Sequence, residues 1–373
     1  MIYISGIVIT LFLSLILFTK KDKSLSDKIL LGWLIIVLIH LVLFVLVSSK
    51  QYILFPYFFG LEIPLPLLHG PLLFLYSKSL TDSIKISRNI GLHFIPFFLA
   101  LISIVPFLLL DSKEKINVYQ NNGEDYIILT SIIFTVIILS GISYSVLSLH
   151  LLRRHQKIIK ENFSYTEEIN LKWLFGLIVG LSLIWVVVLL ADDEFIFTSV
   201  VFYVIFIGYF GIKQVGIFTN QPPVSVSTIV ESIGPVELDQ KPNENPKYEK
   251  SSLTNSELEA KHRALVILMK EKKMHLTPEL TIANVAEELE IHPNTLSQVI
   301  NRVEKRNFFD YINKLRVEEF LEKVIIPDNQ KFTLLSLAYE CGFNSKTSFN
   351  RNFKSITGNA PSEYLKKINV NLK

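Results

Sequence analysis

Long apolar runs, separated by short lysine-rich loops, fill the first 218 residues of this 373-residue chain. A helix needs about 20 consecutive apolar residues to cross a bilayer. Residues 2–18, 29–47, 90–110, 127–149, 171–191 and 195–212 approach or meet that length. One more run, 52–76, is interrupted by Glu62 and by Pro56, Pro64, Pro66 and Pro71. Its spanning part is placed near 64–80, with 52–60 at the outer face. The expected count is seven spans, with six or eight as the margin.

Basic residues in short loops mark the cytoplasmic side. With the N-terminus outside, the inner loops hold Lys20, Lys21, Lys23, Lys28, Lys78, Lys85, Arg88, Arg153, Arg154, Lys157, Lys160, Lys172 and Lys213. The outer loops hold only Lys50, Lys113 and Lys115, beside the acidic Asp192-Asp193-Glu194. The expected topology is therefore N-out and C-in. No cleaved signal peptide is expected, because lysines follow the first apolar run rather than precede it. The single cysteine, Cys341, excludes a disulfide framework and a thiolate metal cluster.

Ionisable groups at membrane depth are costly and often functional. Glu62 and His69 lie around the proline-kinked third span, where irregular backbone must be buried or line a cavity. They are the candidate ligand-binding residues, for a small-molecule effector that no motif names. The spans hold no Ser/His/Asp arrangement, no His-Glu-x-x-His and no carboxylate pair, so no catalytic residue, metal ligand or cofactor is expected.

Only 19% of the chain is charged, and most of that charge lies after residue 220. The average thus conceals an embedded domain (1–218), a proline-containing cytoplasmic linker (219–252) and a polar domain (253–373). In the last, Thr254-Asn255-Ser256-Glu257 has the form of a capping box and opens a helix to about Lys272. Helices over 282–289 and 294–303 follow, across the turn Glu290-Ile291-His292-Pro293, with Leu296, Val299, Ile300 and Val303 facing inward. A longer helix, 308–323, separates this pair from a second one, 333–341 and 346–356, joined through Gly342-Phe343-Asn344. The second reading helix buries Phe349, Phe353 and Ile356. A pair of short helices across a tight turn describes a helix-turn-helix, and two such pairs around one helix are more specific than either alone.

These residues carry a resemblance. The stretch Leu337-Ala338-Tyr339-Glu340-Cys341-Gly342-Phe343-Asn344-Ser345, then Phe349-Asn350-Arg351-Asn352-Phe353-Lys354 and Gly358-Asn359-Ala360-Pro361, resembles the DNA-binding domain of AraC-family transcription regulators. The likeness covers residues 280–365. Phe308-Phe309-Asp310-Tyr311 and Leu315-Arg316 are similar to the family's linker helix, while Ala360 stands where the family usually has threonine. The layout with seven spans is similar to membrane-bound regulators of that type. The implied fold is all-α: a transmembrane helix bundle followed by two helix-turn-helix units. The implied DNA contacts are Asn294, Ser297 and Gln298 in the first unit, and Lys346, Thr347, Asn350, Arg351 and Lys354 in the second. Asn and Gln pair with adenine and Arg with guanine at major-groove edges. Expected partners are double-stranded operator DNA, membrane lipid, an effector, RNA polymerase and a second copy of the chain; the expected location is the bacterial cytoplasmic membrane. Two competing expectations are a transporter or membrane enzyme with a regulatory tail, and spans that only anchor the DNA-binding module.

Overall fold

The computed structural model describes residues 2–49, 54–81, 88–167, 169–213 and 254–370. The expected linker, 219–252, lies outside them. Contacts divide the chain into two units, Met1–Arg153 with Leu171–Ser227, and Arg154–Asn170 with Thr228–Lys373. A segment that the sequence reads as a loop between two spans thus belongs to the second unit. Among the described residues the chain is helical without strands, apart from one isolated antiparallel bridge between Phe163 and Thr281.

The first unit contains α1 (Ile2–Thr19), α2 (Leu25–Ser48), α3 (Pro66–Thr81), α4 (Ile95–Ser103), α5 (Val105–Leu108), α6 (Ser112–Gln120), most of α7 (Ile127–Asn162), α8 (Lys172–Leu190) and α9 (Asp193–Lys213). Among the described residues, five helices are long and apolar enough to cross a membrane: α1, α2, α7, α8 and α9. The third and fourth expected spans are shorter. α3 has 16 residues, and the 90–110 run breaks into a 3-10 turn, α4 and α5. Proline explains the break. It lacks an N–H and clashes with the preceding turn, so Pro96 and Pro106 each open a new helix rather than continue the old one.

Helix α1 packs on α2 and α9, α8 on α9, and α2 on α3, around Trp33, Leu174, Leu177 and Val201. At the start of α2, Ser24 caps the helix and Asp27 forms a buried ion pair with Lys20 at 2.7 Å. The outer surface is apolar as well: Phe12 is 58% exposed, Leu139 61% and Leu183 60%. So many exposed large apolar side chains on one unit suit a surface that faces lipid or another protein.

The second unit holds α10 (Asn255–Lys272), α11 (Ile282–Glu288), α12 (Pro293–Val299), α13 (Phe308–Val324), α14 (Leu334–Glu340), α15 (Lys346–Thr357) and α16 (Pro361–Lys367). The capping box at Thr254 and Glu257 is formed. Two cores lie along α13. Its first half gives Phe308, Tyr311 and Ile312 to a core with Leu265, Val285, Leu296 and Ile300. Its second half gives Val317, Phe320 and Val324 to a core with Leu337, Phe343, Phe349 and Phe353. One helix therefore fixes the spacing of the two helix-turn-helix units.

Two inward assignments change. A π turn over Ile300–Glu304 follows α12. Its wider turn shifts the helical register, and Val303 ends 37% exposed. Ile356 is 36% exposed, because the buried face of α15 is made by Ser348, Phe349, Asn352 and Phe353.

Candidate nucleic-acid interface

Each unit presents its second helix through a capped turn. In the first, Glu290 takes a left-handed φ of 54° and Pro293 occupies the first turn of α12. The Asn294 amide donates to His292 Nδ1 at 3.2 Å. In the second, Gly342 turns the chain at φ 87°. A Cβ there would lie 2.6 Å from the His275 carbonyl oxygen and 2.8 Å from that of Leu276, so the site needs glycine on two counts. Ser345 then caps α15, its Oγ accepting from the Ser348 amide at 3.0 Å.

The buried faces of the two helices are mainly apolar, with Ser348 and Asn352 the buried polar residues of α15, and the free faces are mainly polar. On α15, Phe349 and Phe353 are fully buried, while Lys346, Thr347, Arg351 and Lys354 are exposed and Asn350 is half-buried. On α12, Leu296 and Val299 are buried, Gln298 is exposed, and Asn294 and Ser297 are half-buried. Phe349 packs in tilted and edge-to-face contact with Phe320, Phe343 and Phe353 at centroid distances of 4.8, 5.2 and 5.5 Å, which orients the second reading helix. Residues 285–367 match the helix-turn-helix domain family. They form an AraC-type helix-turn-helix domain. No curated protein and no solved structure matches the chain.

The AraC-type domain does not present all of its polar face freely. Glu161, Thr166 and Glu167, from the same unit, lie against the two reading helices. Glu161 Oε2 accepts from Ser297 Oγ at 3.2 Å and from Asn301 Nδ2 at 3.0 Å. Arg351 Nη2 donates to Thr166 Oγ1 at 3.2 Å and pairs with Glu167 Oε1 at 3.4 Å. Between these ends, Phe163 and Ser164 are completely buried. The Ser164 amide donates to the Leu280 carbonyl at 3.0 Å, and the Ser164 carbonyl accepts from Asn313 Nδ2 at 2.9 Å and from Arg316 Nη1 at 3.2 Å.

Arg316 is the central group of this arrangement. Its side chain is buried and donates to the carbonyls of His275 at 2.7 Å, Thr277 at 2.6 Å and Pro278 at 3.1 Å, as well as to Ser164. A buried guanidinium is tolerated only with its donors satisfied. Burial pulls its pKa down to about 9, with Glu167 opposing, so it stays charged at neutral pH. Nearby, Glu319 bridges Lys273 at 2.9 Å and His275 at 3.6 Å.

In the first unit, Glu62 and His69 line one cavity of about 1000 Å³. His69 Nδ1 accepts from Trp33 Nε1 at 3.1 Å, and its Nε2 lies 3.3 Å from His40 Nδ1. Tyr119 hydrogen-bonds Glu62 Oε1, whereas Glu62 Oε2 and Trp185 Nε1, in the wall of the same cavity, are buried without a partner among the described residues. Trp33 and Trp185 were not legible in the sequence because nothing in an apolar run distinguishes a cavity wall from a core residue, and Tyr119 because it lies in the polar helix α6. Glu161, Thr166, Glu167 and Asn301 escaped it because their partners lie up to 185 residues away.

Proposed function

We propose that this chain is a membrane-embedded, sequence-specific transcription regulator of a bacterial cytoplasmic membrane, with its N-terminus outside and its DNA-binding domain in the cytoplasm. The observation that carries this reading is the coexistence, in one chain, of an AraC-type domain with two reading helices and five long apolar helices. Asn294, Ser297 and Gln298 read one segment of operator, and Lys346, Thr347, Asn350 and Arg351 the next. Lys354 and the basic C-terminus hold phosphates, which makes binding salt-dependent.

The cavity supports sensing over mere anchoring. Its walls are mostly apolar and aromatic, with a few convergent polar groups, as in small-molecule sites. Glu62 Oε2 offers an acceptor that the protein itself does not use. The effector is therefore an apolar small molecule with at least one hydrogen-bond donor, contacting Glu62 and His69. Its binding shifts the DNA affinity of the domain, RNA polymerase responds at the promoter, and a second copy of the chain doubles the operator length read.

Reporter enzymes fused after Lys213 test the arrangement. A reporter active only in the cytoplasm is expected. One active only outside the membrane would put DNA out of reach and end the proposal.

A further inference from the structure

We propose that Arg154–Asn170 is a built-in competitor of DNA, a strap that occupies both reading helices in the free chain and leaves them when a duplex binds. The idea rests on the DNA-binding reading above and supplies its regulation.

The strap's position is the first argument. Glu161, in the last turn of α7, touches Ser297 and Asn301 at one reading helix, and six residues later Thr166 and Glu167 touch Arg351 at the other. Its chemistry is the second. Hydroxyl, amide and guanidinium donors are what a reading helix offers to phosphates and base edges. Glu161 and Glu167 present carboxylate oxygens to those same donors. The strap thus fills the donors with anionic acceptors, as the nucleic acid would, and the Glu161 and Glu167 carboxylates repel phosphate.

Retention and release have separate residues. A half-exposed ion pair such as Arg351–Glu167 holds little by itself. The strap is held instead by buried Phe163 and by Ser164, whose amide, carbonyl and hydroxyl are all engaged. Arg316 keeps three carbonyl partners of the domain itself, from His275, Thr277 and Pro278, when the strap departs. The face beneath therefore survives without it.

Chain continuity gives the strap an input. It comprises the last turns of α7 and the segment that leads to α8, and both helices contribute walls to the cavity of the first unit, through Ile133 and Trp185 among others. A change in either helix is passed to the strap through the covalent chain.

The test uses the full-length protein in nanodiscs and a fluorescein-labelled 40-base-pair duplex of mixed sequence at low salt. Hydrogen exchange of the peptide containing Phe163 and Ser164 is measured with and without saturating duplex. Affinity is measured for the wild type, for Glu161→Gln with Glu167→Gln, and for a charge-matched control, Glu259→Gln with Glu271→Gln. Duplex binding should speed exchange at Ser164. The strap variant should bind about tenfold tighter than the control, within the usual range of coupling between sites. Unchanged or greater protection at Ser164 in the complex, or equal affinity of the strap and control variants, overturns the proposal. If no variant binds the duplex at all, the DNA-binding reading fails and the competitor falls with it.

Discussion

Replacing Gly342 with alanine should destabilise the DNA-binding domain far more than the same change at Gly358. Both glycines have left-handed backbones, at φ 87° and 78°. A Cβ in that region costs about 1–2 kcal/mol, and Gly358 bears only this cost because nothing lies within 4 Å of its added carbon. At Gly342 the new carbon also meets the His275 oxygen at 2.6 Å, the Leu276 oxygen at 2.8 Å and Arg316 Nε at 2.9 Å. The carbonyl of His275 is itself held by Arg316, so the neighbours cannot simply swing away. Overpacking of this kind adds about 1–3 kcal/mol. A fragment of residues 250–373 contains every member of both cores and should fold alone. In urea, where small domains lose about 1–3 kcal/mol per molar, its midpoint should fall about 1 M further for Gly342→Ala than for Gly358→Ala. Equal losses would mean that Gly342 does not approach the His275–Leu276 backbone, and the packing between the two units of the domain would be wrong.

In the same fragment, Phe353→Ala should cost about 3–5 kcal/mol as a buried aromatic, and Ile356→Ala, at an exposed position, about 0.5 kcal/mol or less; urea titration of both checks the face of α15. Arg351→Ala should weaken binding to a guanine-containing site by about 1–3 kcal/mol and relax the choice at that base pair. Lys366→Ala should weaken specific and random duplexes alike and flatten the salt dependence; anisotropy titrations at two salt concentrations separate the two effects. Burial keeps the His275 imidazole below its ordinary 6.5, with Glu319 pulling the other way. Burial also opposes ionisation of Glu319, but Lys273, His275 and Lys323 outweigh it and hold that carboxyl below 4.5. Unfolding then takes up a proton at His275 below pH 6.5 and at Glu319 below pH 4.5, so stability is full above 6.5 and falls with falling pH. Urea midpoints at pH 7.5 and 5.5 should show the loss, and His275→Gln should reduce it.

The parts legible in the sequence were those written in local patterns. Apolar length gave α1, α2, α7, α8 and α9, and caps with helical spacing gave the reading helices. The prolines at 96 and 106 were visible, yet an apolar count passes over them and counts one span where the chain builds two short helices. Val303 was misplaced because a π turn follows no simple periodicity. The candidate DNA residues could be named individually, but their occupation by the strap could not. Glu161, Ser164 and Glu167 read as ordinary loop polarity until the fold brings Ser297, Arg316 and Arg351 to them. Glu62 and His69 were marked by their cost at membrane depth, and their common cavity depends on side chains from seven helices and the segments between them that no short window contains.

The most direct measurement of the central claim is duplex selection by the full-length chain in its membrane. A library of random duplexes is offered to inside-out and to right-side-out vesicles carrying the protein, and the retained DNA is sequenced. Inside-out vesicles should enrich a motif with two separated blocks, one for each reading helix, and Arg351→Ala should erase preference within one block only. Right-side-out vesicles should retain nothing. Absence of any enriched sequence on inside-out vesicles, with the strap intact and with Glu161 and Glu167 both replaced by glutamine, would contradict the account.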